Sequence, residues 1–495
     1  MRNTISAMRK RISVFSFQQG AVAFFFTVML VWIFAPGYLD MSTNSVFSKS
    51  IVHAAPLSTI HAPFFFLLWR AIYFFSPYSS LSMYFVMVFL FSYGASLFCW
   101  QLVKGFWQRL LLSALIIVIP SNLVLMTIIQ KEFFMQGWMM CLIAFIVSIQ
   151  RTQQFCLKQW LFGGSLIALF FILDARPDSF FAVFIFGVWL FLSLHETKLW
   201  RIRFVLINMV YALALLLVLF GIVSVLHRVC SIQRVYPSIQ LAISDVGMVS
   251  VQTQNDFLYR YTPQNLQLGD VLAHRQSHLA YISGKYRENQ YYFIDEFLWR
   301  GPELWKLEAL LFDESRQGDS LRKDLFTTYR QSFANATRYI IERHNSLWWF
   351  MVTRSAYWVK QLGFEQPIML NKDNSCFWIE NQSLVPRQVN EKTPQWRMVN
   401  GYIQLFPEFP VYTLISYFFL SGGLLFWLGY LFVMKSIRNI YILNAFFVLL
   451  AGVIYILMRW PLLINPSYRY GQMVILTTVI GVVFFIRGII PDETI

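Results

Sequence analysis

Apolar runs long enough to cross a hydrocarbon core of roughly 30 Å recur near residues 19–36, 81–101, 108–129, 133–150, 160–175, 179–195, 204–227, 411–433, 438–458 and 470–489. Ten membrane-spanning helices are expected from them. A further apolar piece, Pro63 to Phe75, opens on proline and carries Arg70 in its middle. At that length it predicts an interfacial or re-entrant segment and not a crossing. Between the seventh and eighth runs lies a polar stretch, about residues 228–408, large enough for a small core of its own. Apolar residues recur in it, among them Tyr291, Tyr292, Phe293, Phe297 and Trp299, and a helical pattern runs from Leu321 to about Leu362. The expected fold is therefore an all-α polytopic membrane protein of about ten transmembrane helices plus short re-entrant or interfacial helices. An α or α+β external domain is inserted between spans 7 and 8. The divisions are a transmembrane module over 1–227, the external domain over 228–408 and a three-helix module over 409–495. The first apolar run, Phe17 to Pro36, is longer than the apolar part of a signal peptide, and no small-residue cleavage site follows closely, so it is read as a retained helix.

Of the 495 residues, 57% are hydrophobic and only 13% charged, which is outside the composition of a water-soluble fold and puts most of the chain in lipid. The net charge of +15 is spread singly between apolar runs, so no basic stripe exists for nucleic acid and none is expected as a partner. Membrane orientation accounts for the charge better, because short cytoplasmic loops collect Lys and Arg. If residues 63–75 do not cross, the connections holding Lys104/Arg109, Arg151/Lys158, Lys198/Arg201/Arg203 and Lys435/Arg438 join the basic N-terminus on one side. A multi-pass inner-membrane protein with both termini cytoplasmic is expected. Five cysteines, at 99, 141, 156, 230 and 376, show no metal-type spacing. Cys230 and Cys376 alone lie in the polar stretch, where an oxidising compartment would let them pair.

This topology brings four polar clusters to one face: the loop over 37–62, the turn Lys131-Glu132, the turn Asp174-Ala-Arg-Pro-Asp178 and the large domain. Ionisable groups at span ends often serve only as interfacial anchors. A short turn that merely had to be polar, however, would be served by Ser, Asn or Gly. Trp69, Trp107 and Trp138 sit near span ends, where membrane belts favour them, and are read as anchors.

The first loop reads Pro36-Gly-Tyr-Leu-Asp-Met-Ser-Thr-Asn44, followed by Pro56-Leu-Ser-Thr-Ile-His-Ala-Pro63. At these residues the chain resembles the GT-C class of membrane glycosyltransferases, in particular bacterial relatives with Pro-Gly-Tyr plus an acidic segment and then His-Pro-Pro entering an apolar stretch. Lys131-Glu132 resembles the Lys-Asp those proteins place where a later helix leaves the outer face, and Arg176-Pro-Asp178 resembles their Arg-x-Asn turn. Ile243-Ser-Asp-Val-Gly247 and the stretch Ile340 to Gly363, with Arg354 and Leu362-Gly363, extend the likeness. Two positions depart from it. Relatives carry the first-loop acid at about the place of Ser42, two residues after Asp40, and Ala62 replaces the middle residue of His-Pro-Pro.

The resemblance implies transfer of a sugar from polyprenyl phosphate to a cell-envelope glycan, lipid or protein acceptor. Such a site needs a base for the acceptor proton and cations for the departing phosphate. Asp40 is the expected base and Glu132 the second carboxylate, holding either a divalent metal ion or the acceptor. Lys131 and Arg176 are expected on the donor phosphate, with His61, Asp174 and Asp178 in support. The competing expectations are a lipid-linked glycan ligase or polymerase, a transporter or flippase, and a non-catalytic scaffold.

Overall fold

The computed structural model describes residues 18–33, 38–39, 57, 62–75, 79–126, 128–129, 131–194, 202–232, 237–255, 257, 316–353, 401, 413–435, 439–462 and 472–490. Fourteen helices appear among them: α1 (Gln18–Ile33), α2 (Pro63–Phe75), α3 (Ser79–Leu102), α4 (Phe106–Ile117), α5 (Pro120–Met126), α6 (Lys131–Arg151), α7 (Phe155–Ala175), α8 (Phe180–Leu194), α9 (Ile202–Val229), α10 (Pro237–Thr253), α11 (Arg316–Thr353), α12 (Leu414–Lys435), α13 (Ile440–Met458) and α14 (Gln472–Ile489). Among the described residues six of them, α3, α6, α7, α9, α12 and α13, contain stretches long and apolar enough to cross a membrane. The shorter apolar helices α1, α4, α8 and α14 fall where four further spans were expected. The chain is thus a helical, multi-pass membrane protein. Helices suit lipid because each satisfies its own backbone hydrogen bonds. Buried hydroxyls do the same, bonding back to the carbonyl four residues earlier: Ser148 to Ala144, Ser165 to Leu161 and Ser193 to Trp189.

The expected span 108–129 is not one helix. Pro120 has no N–H for the carbonyl of Ile116 and disfavours helical backbone at the residue before it, so α4 stops at Ile117 and α5 starts anew at Pro120. The Ile116 carbonyl accepts instead from Asn122 Nδ2, at 2.8 Å. After α5, strand β2 (Ile128–Ile129) pairs in parallel with β1 (Tyr38–Leu39), with Tyr38 opposite Ile128 and Leu39 opposite Ile129. The first loop is thereby fastened to the segment that leads into α6.

Two helix pairs pack closely enough to require glycine. At Gly94 of α3 an added Cβ would lie 2.7 Å from the Cys141 backbone nitrogen of α6. At Gly481 of α14 it would lie 2.5 Å from the Leu449 side chain of α13. Helix α2 starts beside Asp174 at the end of α7, where the Phe64 N–H donates to Asp174 Oδ2 at 3.1 Å. It packs Phe65, Phe66 and Trp69 inward and leaves Phe74 and Phe75 exposed. Trp69 is therefore not an interfacial anchor: it is fully buried, stacked on Phe66 at 6.0 Å, because the 65/66/69 spacing turns all three rings to the bundle. Trp138 likewise stacks on Phe171, at 4.7 Å.

Of the polar stretch 228–408, α10 and α11 are the main described elements, and they pack against each other. The helical pattern expected from Leu321 starts five residues earlier, at Arg316, and is interrupted by non-helical backbone at Ala336. Leu347, Met351 and Val352 at the end of α11 join the core of the main bundle. Cys230 is exposed, and Cys376 lies outside the described residues.

Crowding at Gly94 gives a direct test. Gly94→Ala should lower the melting temperature of the purified protein by several degrees, overpacking of this kind costing about 1–3 kcal/mol. Gly163→Ala, where nothing lies within 4 Å of an added Cβ, should not lower it. Equal melting temperatures for the two variants would contradict the close α3–α6 approach.

Candidate functional site

The turn between α7 and α8 is built by Pro177. Its ring keeps Arg176 out of the helical region, and Arg176 is accordingly extended, at φ −147° and ψ 93°. A short 3₁₀ turn, Pro177–Ser179, follows. It is closed by the Ser179 N–H donating to the Arg176 carbonyl at 2.8 Å, while Ser179 Oγ donates to the Ile172 carbonyl at 3.2 Å. The Arg176 side chain reaches the first turn of α6, where Nη1 meets Glu132 Oε1 at 2.7 Å. A carboxylate there also gains from the N-terminal end of the helix dipole. Arg176 Nε and Nη2 reach the two oxygens of Asp178, both at 3.3 Å. Asp178 Oδ2 also pairs with Arg459, which follows α13 and is steadied by the Tyr455 hydroxyl at 2.5 Å and by the Tyr455 ring, 4.8 Å below its guanidinium.

Four charges thus alternate in a row: Glu132, Arg176, Asp178, Arg459. Their side chains are 5%, 10%, 21% and 4% exposed in that order. Burial pushes Asp178 toward the neutral acid, but the Arg176 and Arg459 guanidiniums outweigh it and hold the carboxyl at about 2, with Lys131 helping from further off. Lys131 lies within electrostatic reach of both Asp178 and Asp174.

Asp174 stands beside this row with a different set of neighbours. Its Oδ2 accepts from the Phe64 N–H, and its Oδ1 faces His227 Nε2 of α9 at 3.8 Å. The His227 ring is stacked on Phe64, with centroids 5.6 Å apart.

A second buried cluster centres on Asp245 of α10, fully buried. Arg343 of α11 donates to Asp245 Oδ1 and to Ser244 Oγ. The Tyr329 hydroxyl donates to Asp245 Oδ2 at 3.3 Å, and His344 Nε2 lies 3.3 Å from that same oxygen. Burial first, then the Asp245 charge, pushes Tyr329 up to about 12, so it remains a donor. The other ring nitrogen of His344, Nδ1, lies 3.0 Å from the Trp460 carbonyl. Trp460 Nε1 donates back to Asn345 Oδ1 at 2.8 Å. Since Trp460 follows Arg459, one dipeptide touches both clusters.

Of the residues singled out in the sequence, Glu132, Arg176 and Asp178 meet in one network, Lys131 adjoins it, and Asp174 lies beside it on a separate partner. Asp40 and His61 lie outside the described residues. The strand β1 ends one residue before Asp40, and β2 ends two before Lys131. Among the described residues no three of His, Cys, Asp and Glu converge as metal ligands, and both carboxylates of the row already face guanidiniums. That donor set does not fit a divalent cation.

His227, Arg459, His344 and Arg343 were not singled out in the sequence. Arg459 sits at the end of an apolar run whose direction places it on the same face as Asp178, so the topology held that signal. For His227 the sequence held none, whereas Asp245, Arg343 and His344 fall inside the two stretches, Ile243–Gly247 and Ile340–Gly363, whose resemblance marked the segments but not their pairing.

The depressed Asp178 carboxyl stabilises the fold above its ordinary value of 3.8, and this contribution is lost as pH falls through about 2. Asp178→Asn should therefore melt below wild type at pH 7, by an amount worth about 2 kcal/mol, and the gap should close toward pH 2. A gap that is unchanged with pH would remove the ionised Asp178 from the network. Compared with known proteins, the chain matches no family model, no curated protein and no solved structure.

Proposed function

We propose that this protein is a membrane glycosyltransferase of GT-C type, moving a sugar from a polyprenyl-phosphate donor to a cell-envelope glycan, lipid or protein acceptor at the end of the bundle that holds the buried ion network. The observation that carries the reading is the β1–β2 pairing. It binds the loop containing the expected base to the segment entering Lys131-Glu132, beside the Arg176 turn. In the proposed step Asp40 takes the proton of the acceptor hydroxyl, the acceptor oxygen attacks the anomeric carbon, and the glycosyl C–O bond breaks. Polyprenyl phosphate leaves with the bonding electron pair. Lys131 and Arg176 neutralise the leaving phosphate, with Arg459 adding to the positive field behind them. Glu132 holds Arg176 in place and lies next to the acceptor path.

The sidedness of the bundle supports the same reading. All the described acidic residues, Glu132, Asp174, Asp178, Asp245, Asp319, Asp324 and Glu342, belong to the network end or to α10–α11. Lys104, Arg109, Arg151, Lys158 and Lys435 belong to the opposite end. By the positive-inside rule that second end is cytoplasmic, and the network faces outward.

Two measurements test the proposal. Reporter fusions after Arg109, Arg151 and Lys435 should read cytoplasmic and one at Asn345 external; a cytoplasmic reading at Asn345 sinks the orientation. In membranes supplied with a polyprenyl-phosphate sugar, Asp40→Asn should lower transfer by about 10²–10⁴, while Ser42→Ala has little effect. Arg176→Ala should lose more than Arg176→Lys, which keeps the charge but not the fork. Wild-type transfer by both Asp40→Asn and Glu132→Gln would end the carboxylate mechanism and favour binding or transport of the same lipid.

A further inference from the structure

The C-terminal half of α11 docks on the end of α13 through three polar contacts. Trp348 Nε1 donates to the Ile456 carbonyl at 3.2 Å, Trp460 Nε1 donates to Asn345 Oδ1 at 2.8 Å, and His344 Nδ1 lies 3.0 Å from the Trp460 carbonyl. The first two join an indole N–H to a carbonyl or amide oxygen, groups that do not titrate. His344 is different, because its ring is held between two groups that can only accept. On its other side Nε2 lies 3.3 Å from Asp245 Oδ2, and that carboxylate already takes donors from Arg343 and from the Tyr329 hydroxyl. A neutral imidazole has a single N–H. In either tautomer one ring lone pair would point at an oxygen lone pair, of the Trp460 carbonyl or of Asp245, and the His344 side chain is only 6% exposed. The doubly protonated ring meets both acceptors with an N–H.

We infer that His344 is a proton-dependent latch: with both ring nitrogens protonated it ties Asp245 of α10 to the backbone at the end of α13, and on losing one proton it lets the α13 end go. The carboxylate is the stronger acceptor, so the proton lost is the one on Nδ1 and the contact released is the Trp460 carbonyl. The surroundings favour the charged ring. Asp245 faces it from α10, and the end of α13 presents the negative pole of that helix. Two cations oppose it, but each is turned to a carboxylate: Arg343 of α11 to Asp245, and Arg459, after α13, to Asp178. Tyr329 stays a neutral donor, and α12 meets this part of α11 through Phe418, whose ring lies 5.9 Å from that of Trp348. Docking through His344 is therefore complete in acid and weakens as pH rises. A histidine buried as the neutral ring would give the reverse sign, losing its contact on acidification.

The test uses the full-length protein in lipid nanodiscs and reads hydrogen–deuterium exchange by mass spectrometry, with rates corrected for the intrinsic pH dependence of exchange. Measurements at about pH 5.5 and about pH 8.5 lie on either side of the ordinary imidazole value of about 6.5. Protection over residues 344–353 of α11 should fall about tenfold at the higher pH, the worth of one hydrogen bond to a charged group. The α3–α6 contact at Gly94 and Cys141 should keep its protection at both. His344→Gln, which takes up no proton, should change less than twofold between the two pH values. If His344→Gln does not fold, His344→Arg, charged at both, carries the same test and should also be flat. Wild-type protection that is flat with pH, or that rises with it, overturns the latch. So does a loss at high pH that persists in the folded His344 variant, because the titrating group then lies elsewhere.

Discussion

Arg176 is the constraint on which the arrangement of this protein depends. A guanidinium stays charged at any accessible pH, and one that is nearly buried at the end of an apolar bundle must be met by carboxylates at hydrogen-bond distance. Glu132 and Asp178 do so from the first turn of α6 and from the 3₁₀ turn before α8, and Arg459 adds the end of α13. Removing one partner of such a pair typically costs about 3–5 kcal/mol, because the other charge is left buried. The ends of four helices are thus held in register by charge, whereas along their lengths they are held by packing. The same turn directs Asp174 away from the network and toward His227, so that one five-residue segment serves two separate pairs.

Hydrogen-bond accounting in an apolar medium explains the irregular parts as well. The break between α4 and α5 is tolerated because Asn122 supplies the donor that Pro120 cannot. Once broken, the segment ends in an extended pair of residues free to accept a parallel partner, and Tyr38–Leu39 of the first loop is that partner. Phe64, at the start of α2, has no helical acceptor for its N–H, and Asp174 provides one. Each irregularity is resolved by a contact that draws a loop toward the network, so the departures from regular helix gather where the chemistry is proposed.

The Arg459-Trp460 dipeptide links the two buried clusters through the backbone. Arg459 faces Asp178, while the Trp460 carbonyl faces His344, whose other ring nitrogen lies against Asp245. The α10–α11 pair and the ion network thus meet on adjacent residues of one short turn.

By itself the sequence determined the class of the protein, because the hydrocarbon thickness sets the length of an apolar helix and nothing in the tertiary structure can change that requirement. It also determined that Pro63–Phe75 would be a short helix and that the turn at 174–178 was more than a polar connection, since two acids and an arginine between apolar runs are expensive to place. What it did not hold was partnership. Arg459 and Glu132 are more than three hundred residues apart, and only the packing of α6, α7 and α13 brings both of them to the same turn. The break at Pro120 was present as a residue type, but whether it would kink or end the helix depended on Asn122 reaching the freed carbonyl. Trp69 appeared to belong at an interface and is buried, because α2 lies with that face against α3 and α7. His227 was one histidine near the end of an apolar helix until the fold set it 3.8 Å from Asp174. Helices in lipid are dictated by local chemistry, whereas which charges meet is decided by helix packing over distances the local pattern does not encode.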